Sequence, residues 1–255
     1  MVLVVAGMGA DKGVPLFQLF EQGKHLAAVG AVSHLTGVHD VGHTERSGIQ
    51  RLIQQAHNEH RHITWRAAGT SLSGQAISDD ILAVVGKKWE HYTILDNGKR
   101  IVLQPGIIGQ CVNELLMPYG RKFGPDPASI KSAMVGGIIS NNASGMSCGI
   151  HANSDKMLQS VRIILSDGTI LNTGDEHSRN EFRKTHPEFI ARIEALRDQT
   201  RANQALTDRI RSKYSIKNVT GLNILPFIEH DDPFDIIAHL MVGSEGTLAF
   251  LAEAT

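Results

Sequence analysis

The stretch WRAAGTSLSG, residues 65–74, places an arginine ahead of two glycines and three hydroxyl side chains. Small residues let the backbone approach a ligand closely, and glycines permit positive φ, so successive N–H groups can converge on one anion. Arg66 can add charge-assisted hydrogen bonds. The set suits a pyrophosphate. It does not have the spacing of a nucleotide-hydrolysing P-loop, because Gln75 follows Gly74 where that motif requires lysine.

Glycine is concentrated in two further segments, SAMVGGIISNNASG (132–145) and GSEGT (243–247). Gly136 and Gly137 fall inside an apparent helix, where each costs about 1 kcal/mol relative to alanine. Either a ligand pressed against the backbone or tight helix packing would account for them. GSEGT reads as a tight turn that carries Glu245. Together, the three clusters suit a long ligand with a phosphate centre and two flat ends.

Hydrophobic periodicity predicts a mixed framework around these clusters. A strand at 38–41, a helix capped by Thr44 and a strand at 62–65 form one unit, and the Arg66 loop follows its second strand. Ligands of open α/β sheets bind at such carboxyl ends. The remaining pattern predicts strands at 81–86 and 100–106 joined by a polar connection, helices at 109–117 and 130–139, a hairpin at 161–174, a helix or helix pair at 187–213, and a final strand.

Composition excludes several classes of protein. The 255 residues carry a formal net charge of −1, so no strong field favours nucleic acid or an anionic membrane. Cys111 and Cys148 are the two cysteines, too few for a disulfide scaffold, a zinc ribbon or an iron–sulfur cluster held by this chain alone. Neither a signal peptide nor a membrane-spanning run is evident. We expect a cytoplasmic protein with no metal site.

Five segments occur in a fixed order: WRAAGTSLSGQ, LQPG, FGPDPAS, VGGIISNNASG and VGSEGTL. In these the sequence resembles the FAD-binding domain of the vanillyl-alcohol oxidase / p-cresol methylhydroxylase superfamily. It is most similar to the D-lactate dehydrogenase / glycolate oxidase flavoprotein branch, near the large FAD-linked oxidoreductases fused to an iron–sulfur region. The resemblance covers about residues 38–255.

That resemblance implies an α+β fold, a two-lobed FAD-binding domain of p-cresol methylhydroxylase type. A small α/β lobe carrying the pyrophosphate loop would span residues 38–106. A larger lobe, with a mainly antiparallel sheet flanked by helices, would span 107–255. Residues 1–37 form an atypical N-terminal segment. The substrate domain of complete relatives is expected to be absent from this chain.

The resemblance also implies which residues bind FAD. The pyrophosphate loop falls on 66–74, while 125–129 and 136–145 would line the ribityl and isoalloxazine groups and 243–247 would close over the cofactor. Thr70 stands where covalently flavinylated relatives carry histidine, so noncovalent FAD is expected. Lys217 and Asn218 match a segment that returns toward the flavin. The expected FAD-binding residues are Arg66, Ala67, Ala68, Gly69, Thr70, Ser71, Leu72, Ser73, Gly74, Gln75, Pro125, Asp126, Pro127, Ala128, Ser129, Gly136, Gly137, Ser140, Asn141, Asn142, Ala143, Ser144, Gly145, Gly243, Glu245 and Gly246.

The implied function is the FAD-binding portion of a flavin-dependent oxidoreductase. It would oxidise a 2-hydroxy acid such as D-lactate or glycolate by hydride transfer to flavin N5, with the substrate held by a missing domain or a partner subunit. No catalytic residue can be assigned in this chain. One alternative is a non-catalytic FAD-binding module or subunit that needs a partner for turnover. A weaker one is an NAD-binding Rossmann protein that uses Gly7, Gly9 and Gly13, one residue off the usual spacing.

Overall fold

The computed structural model describes residues 38–40, 46–145, 149, 151–219 and 221–255. Several features of the sequence lie outside these residues: the glycines at 7–13, the expected N-terminal segment 1–37, the helix cap at Thr44, and Cys148.

In the described residues, three parallel strands form the smaller sheet, in the order β1-β3-β2. They are β1 (Val38–Asp40), β2 (Ile63–Arg66) and β3 (Ile81–Val84), and helix α1 (Arg46–Asn58) connects β1 to β2. The predicted helix is found here, and its apolar residues Ile49, Ile53 and Ala56 are buried while Leu52 is partly buried. β2 ends at Arg66, so the glycine loop begins at the carboxyl end of a parallel strand.

The second sheet is antiparallel, and its strand order is β4-β5-β8-β6-β7. Its strands are β4 (Tyr92–Leu95), β5 (Arg100–Leu103), β6 (Val161–Ile164), β7 (Ile170–Asn172) and β8 (Phe250–Ala254). The sequence predicted a polar connection where β4 lies. β4 is an edge strand with Tyr92 and Thr93 exposed, so it has little of the apolar pattern that marks a buried strand. The division of lobes at residue 106 stays a prediction, and the structure pairs β5 with β8 in this sheet.

Helices surround the antiparallel sheet. The helix expected at 130–139 begins only at Val135. Before it, Ile130 N donates to Pro127 O and Ala133 N donates to Ser129 O in turns, and Met134 has an extended backbone. The long segment after residue 186 is a helix pair that breaks at Asn203, whose side chain accepts a hydrogen bond of 3.0 Å from Leu206 N. The helices are α2 (Gly109–Leu116), α3 (Val135–Ser140), α4 (Ser154–Met157), α5 (Glu176–Thr185), α6 (Pro187–Ala202), α7 (Gln204–Tyr214), α8 (Pro226–Glu229) and α9 (Pro233–Leu240).

Side chains on both faces of strand β8 pack in hydrophobic clusters. Leu251 packs in the larger cluster with Ile163 of β6 and the α9 side chains. Phe250 faces the smaller sheet, and its ring centroid lies 4.6 Å from that of Trp65 and 5.0 Å from that of Trp89. The two sheets confirm the expected α+β architecture. None of the described helices has the length and apolar composition needed to cross a bilayer.

Candidate functional site

The three glycine clusters meet around one cavity of about 250 Å³. They come from separate parts of the chain: the loop after β2, the segment through α3, and the turn before β8. The expected binding residues that line it are Ala67, Ala68, Gly69, Thr70, Ser71, Gln75, Pro127, Ser129, Gly136, Gly137, Ser140, Asn141, Ala143, Ser144, Glu245 and Gly246.

The other expected residues do not line this cavity. Leu72 is fully exposed at the tip of the first loop, and Pro125 and Asn142 line neighbouring cavities. Gly145 is a packing residue, since a Cβ there would lie 1.6 Å from the carbonyl oxygen of Asp126. The residues outside the lining are Arg66, Leu72, Ser73, Gly74, Pro125, Asp126, Ala128, Asn142, Gly145 and Gly243.

The loop after β2 presents bare backbone donors. Within the described part of the chain, the N–H groups from Ala67 to Leu72 donate to no protein acceptor. Gly69 has a φ of +68° and Gly74 a φ of +82°, both in the left-handed region that favours glycine. Unsatisfied N–H groups on a loop with left-handed residues form an anion-binding concavity. The geometry therefore suits a phosphate group.

The Arg66 guanidinium lies directly over this loop. A Cβ built on Gly69 would be 2.5 Å from Arg66 Nε, so the absence of a side chain at 69 is what lets the guanidinium fold there. Arg66 is half-buried and forms no ion pair with any described residue. A cation held beside free N–H groups without a counter-charge completes a site for an anion.

The two adjacent glycines of α3 serve different purposes. A Cβ on Gly136 would approach Pro105 Cβ to 2.7 Å, so this glycine is required by packing. A Cβ on Gly137 would contact only Ala67 Cβ, at 3.8 Å, and Gly137 is exposed on the cavity wall. Packing therefore accounts for Gly136, whereas the structure leaves open space beside Gly137.

The third cluster is hydrogen-bonded to the second. Gly243 N donates to Ile139 O at 3.1 Å, and Glu245 N donates to Ser140 O at 2.9 Å. The side chain of Asn141 donates to Glu245 Oε1 at 2.9 Å. Glu245 has a φ of +53°, unusual for a residue with a side chain, and such strain is concentrated at binding sites. These bonds fix one rim of the cavity.

Burial raises the pKa of the Glu245 carboxyl, and the hydrogen bond from Asn141 opposes that shift. The raised pKa reduces the cost of placing this carboxyl beside an anionic ligand.

One buried hydroxyl on the cavity wall has no partner. Ser144 Oγ is inaccessible to solvent and forms no hydrogen bond. Such groups cost free energy unless a ligand or water satisfies them. The row of free N–H groups on the cavity wall and the unpaired arginine beside them fit a ligand rich in phosphate oxygens, as a flavin dinucleotide is.

Several cavity residues were missed by the sequence reasoning. They are apolar and indistinguishable from core residues in a linear pattern. Trp65 and Phe250, for example, pack against each other with their rings tilted at 55°. Lys217, which the resemblance suggested, does line the cavity. The missed residues are Trp65, Ala76, Val85, Pro105, Ala133, Met134, Ile138, Val219, Ala249, Phe250 and Leu251. In the described residues, no cluster of three or more His, Cys, Asp or Glu side chains could hold a metal ion.

Comparison with known proteins agrees with this geometry. Residues 41–174, more than half of the chain, match the family model of the FAD binding domain. The D-2-hydroxyglutarate dehydrogenase of Haemophilus influenzae is 26% identical over 201 residues, which cover 75% of this chain and 19% of that protein. Glycolate oxidase subunit GlcD of Escherichia coli is 26% identical over 130 residues, covering 50% of this chain and 26% of that protein. The chain thus spans about a fifth to a quarter of these relatives.

Among solved structures, alkyldihydroxyacetonephosphate synthase superposes with a TM-score of 0.51 at 18% identity, covering 85% of this chain and 32% of that one. At that identity the likeness shows a shared fold. The expected flavoprotein family and its fold are confirmed.

Proposed function

The chain belongs to the FAD binding domain family, and from that premise we propose that it is the FAD-binding portion of an oxidoreductase acting on a 2-hydroxy acid. Its cofactor is FAD. The relatives named above act on 2-hydroxyglutarate and glycolate, both 2-hydroxy acids, which supports this substrate class. D-Lactate and glycolate are the first substrates to test.

One observation carries the proposal: three separated segments rich in glycine and other small residues border a single cavity. The N–H groups of 67–72, with Arg66 above them, would hold the pyrophosphate. Gly137 would let the ligand lie against α3, and Asn141 and Ala143 would face its polar edge. The turn at 245–246 would form the opposite rim.

When bound, FAD supplies a two-electron acceptor for the hydride of a hydroxy acid. The protein's part is to bind, orient and polarise. Backbone N–H groups aimed at a position of developing negative charge stabilise it without reorganising. In the stretch 141–145, which we expected to fill that role, the N–H groups of Asn141, Asn142 and Ala143 already donate to the carbonyls of Gly137, Ile139 and Ile138. We assign no catalytic residue.

We further propose that FAD is held noncovalently. The loop residue that stands in place of the histidine through which some flavoproteins are linked is Thr70, whose hydroxyl cannot form that bond.

A second candidate is an FAD-binding subunit that needs a partner for turnover. The glycolate oxidase relative is itself named a subunit, and the relatives are four to five times longer than the part matched here. A cytoplasmic location stays a prediction under either candidate.

The test is spectroscopic. Purified protein should show the two visible absorbance bands of oxidised flavin. Denaturation should release the flavin into solution, because the cofactor is held noncovalently. Bleaching of the bands by D-lactate or glycolate under anaerobic conditions would support the oxidoreductase. Bands that persist until a partner protein is added would favour the subunit, and a colourless protein that does not take up FAD would refute both.

A further inference from the structure

The antiparallel sheet contains a strand, β5, that lacks a neighbour along most of one side. β5 pairs with β4 along its whole length, but with β8 only where Leu103 lies opposite Ala254. On the far side of β8, Thr255 N donates to Ser160 O at 2.9 Å and Gln159 N donates to Thr255 O at 2.8 Å. In the described part of the chain, no strand continues β8 past these bonds.

The space beside β5 has the width of one strand. We define the strand slot as the space between residues 100–102 and residues 158–159, in line with β8. Neighbouring strands lie about 4.8 Å apart, so the chain segments on the two sides of β8 are about 10 Å apart, and one extended chain fits between them. The side chain of Arg100 reaches across the slot, since its Nη1 donates to Gln159 Oε1 at 3.3 Å. Both of these side chains are exposed.

Cavities open from the slot on both faces of the sheet. One, of about 1060 Å³, is bordered by Val102, and the other, of about 190 Å³, is bordered by Ile101 and Leu103. Successive side chains of a strand point to opposite faces, so the two cavities lie on opposite sides of the sheet. A strand in the slot would therefore point its side chains alternately into the two cavities. The residues that line both cavities are Arg100, Leu158, Gln159 and Thr255.

The smaller cavity combines an apolar wall with exposed cations. Leu103, Leu116 and Ile139 form part of the wall, and all three are buried. Lys99 and Arg121 also line the cavity, are exposed, and form no ion pair with any residue that the structure describes. Among the described residues, no Asp or Glu side chain lines this cavity. The complementary ligand has apolar side chains and a carboxylate that meets the two cations.

The larger cavity is polar, and its charges are paired. Arg162 lies 3.2 Å from Glu253, and Lys156 lies 3.0 Å from Glu229. All four side chains line the cavity. Because these charges neutralise one another, this face of the slot favours uncharged polar side chains such as threonine.

The slot lies close to the FAD cavity. Ile139 lines the smaller cavity, whereas its neighbours Ile138 and Ser140 line the FAD cavity. All three residues belong to α3, so the two spaces lie on different sides of one helix, which is about 10 Å across. A polypeptide anchored in the slot would therefore have its next residues within reach of the FAD cavity.

We propose that the strand slot is the docking site for one extended strand of a partner polypeptide that supplies the substrate-binding part of the oxidoreductase. The strand pairs with the open side of β5, points apolar side chains into the smaller cavity and places a carboxylate beside Lys99 and Arg121. Main-chain hydrogen bonds give such strand addition its affinity, and the pockets for alternate side chains give its specificity. This inference rests on the proposed function, because that function takes its substrate contacts from another domain or subunit.

The first experiment measures the binding of labelled peptides to the FAD-loaded chain by fluorescence anisotropy. In the test peptide, three threonines alternate with three valines and two glutamates follow. One control peptide has the same composition with the valines contiguous, and it should bind at least about tenfold more weakly because its valines cannot all enter the apolar cavity. A second control has lysines in place of the glutamates and should bind about threefold to tenfold more weakly. Equal affinities for the test peptide and the contiguous control would overturn the proposal.

A matched pair of methionine variants locates the peptide. Met157 is 52% exposed and lines the smaller cavity, whereas Met117 is 71% exposed and lines neither cavity of the slot. Met157→Glu places a carboxylate where apolar side chains should enter, so it should weaken binding of the test peptide at least about tenfold. Met117→Glu adds the same charge and should leave the affinity unchanged. Equal effects of the two substitutions would contradict docking in the slot.

Hydrogen–deuterium exchange identifies the strand that the peptide joins. We expect slower exchange in 100–102 and 158–159 when the test peptide is bound. Protection confined to the outer edge of β4 or of β7 would overturn the proposal, as would a dimer of the chain that the peptide disperses, since a second copy would then be the occupant.

The binding readouts are independent of turnover. Absence of peptide binding to protein that retains FAD would count against the slot, whereas failure of hydroxy acids to reduce the flavin would count against the proposed function.

Discussion

Replacing Gly69 by valine tests the pyrophosphate loop at its tightest point. Gly69 has a φ of +68°, and a Cβ at this position would lie 2.5 Å from Arg66 Nε and 2.8 Å from Arg66 Cζ. The variant must therefore both strain the backbone and push the guanidinium away from the loop.

The expected effect follows from these two terms. A β-branched residue in the left-handed region costs about 1–3 kcal/mol. A lost hydrogen bond to a charged group costs a further 1.5–3 kcal/mol or so. Because about 1.4 kcal/mol corresponds to tenfold in affinity, we expect Gly69→Val to weaken FAD binding by about 100-fold or more.

Gly74→Val is the matched control. Gly74 also has a positive φ, of +82°, but an added Cβ would find no atom within 4 Å. It shares the strain without the collision, so its loss should be smaller than that of Gly69→Val by the Arg66 contribution, about tenfold to a hundredfold. Affinity is measured by quenching of flavin fluorescence, after circular dichroism shows that each apoprotein is folded. Wild-type affinity in Gly69→Val, or equal losses in the two variants, would refute the role given to the Arg66 loop.

Three further variants probe other parts of the cavity. Arg66→Met should weaken FAD binding about tenfold to a hundredfold and reduce its salt dependence, with little change in apoprotein stability because Arg66 has no ion pair among the described residues; an unchanged salt dependence would contradict this. Ser144→Ala should stabilise the apoprotein by about 1 kcal/mol, since an unsatisfied buried hydroxyl is removed; chemical denaturation measures the change, and a destabilised apoprotein would refute it. Burial raises the pKa of Glu245, so ionisation of this carboxyl destabilises the folded state. At a pH above the carboxyl's folded pKa, Glu245→Gln should therefore increase the free energy of unfolding, and this gain should vanish below the unfolded pKa of about 4.3. A gain that persists in acid would contradict this explanation.

The sequence could predict the first loop because local chemistry defined it. Arg66 and the glycines follow an apolar strand in the chain, so their place at a sheet end depends only on neighbouring residues. The buried face of α1 was predictable for the same reason, since Ile49, Ile53 and Ala56 repeat with the helical period.

Features that depend on long-range pairing could not be predicted. β8 closes the chain but lies in the middle of the antiparallel sheet, and that position brings Phe250 against Trp65 below the cavity. The different roles of Gly136 and Gly137 depend on Pro105, which is remote in sequence. β4 was missed because an exposed edge strand needs no apolar alternation.

The central claim is that one FAD molecule contacts all three backbone segments at once. Hydrogen–deuterium exchange of the chain with and without FAD tests it directly, since amides that bind the cofactor exchange more slowly. We predict slower exchange in 67–72, 137–144 and 245–246 together, with α6 (Pro187–Ala202) unchanged. Protection of a single segment, or of none of the three while FAD is bound, would contradict the claim.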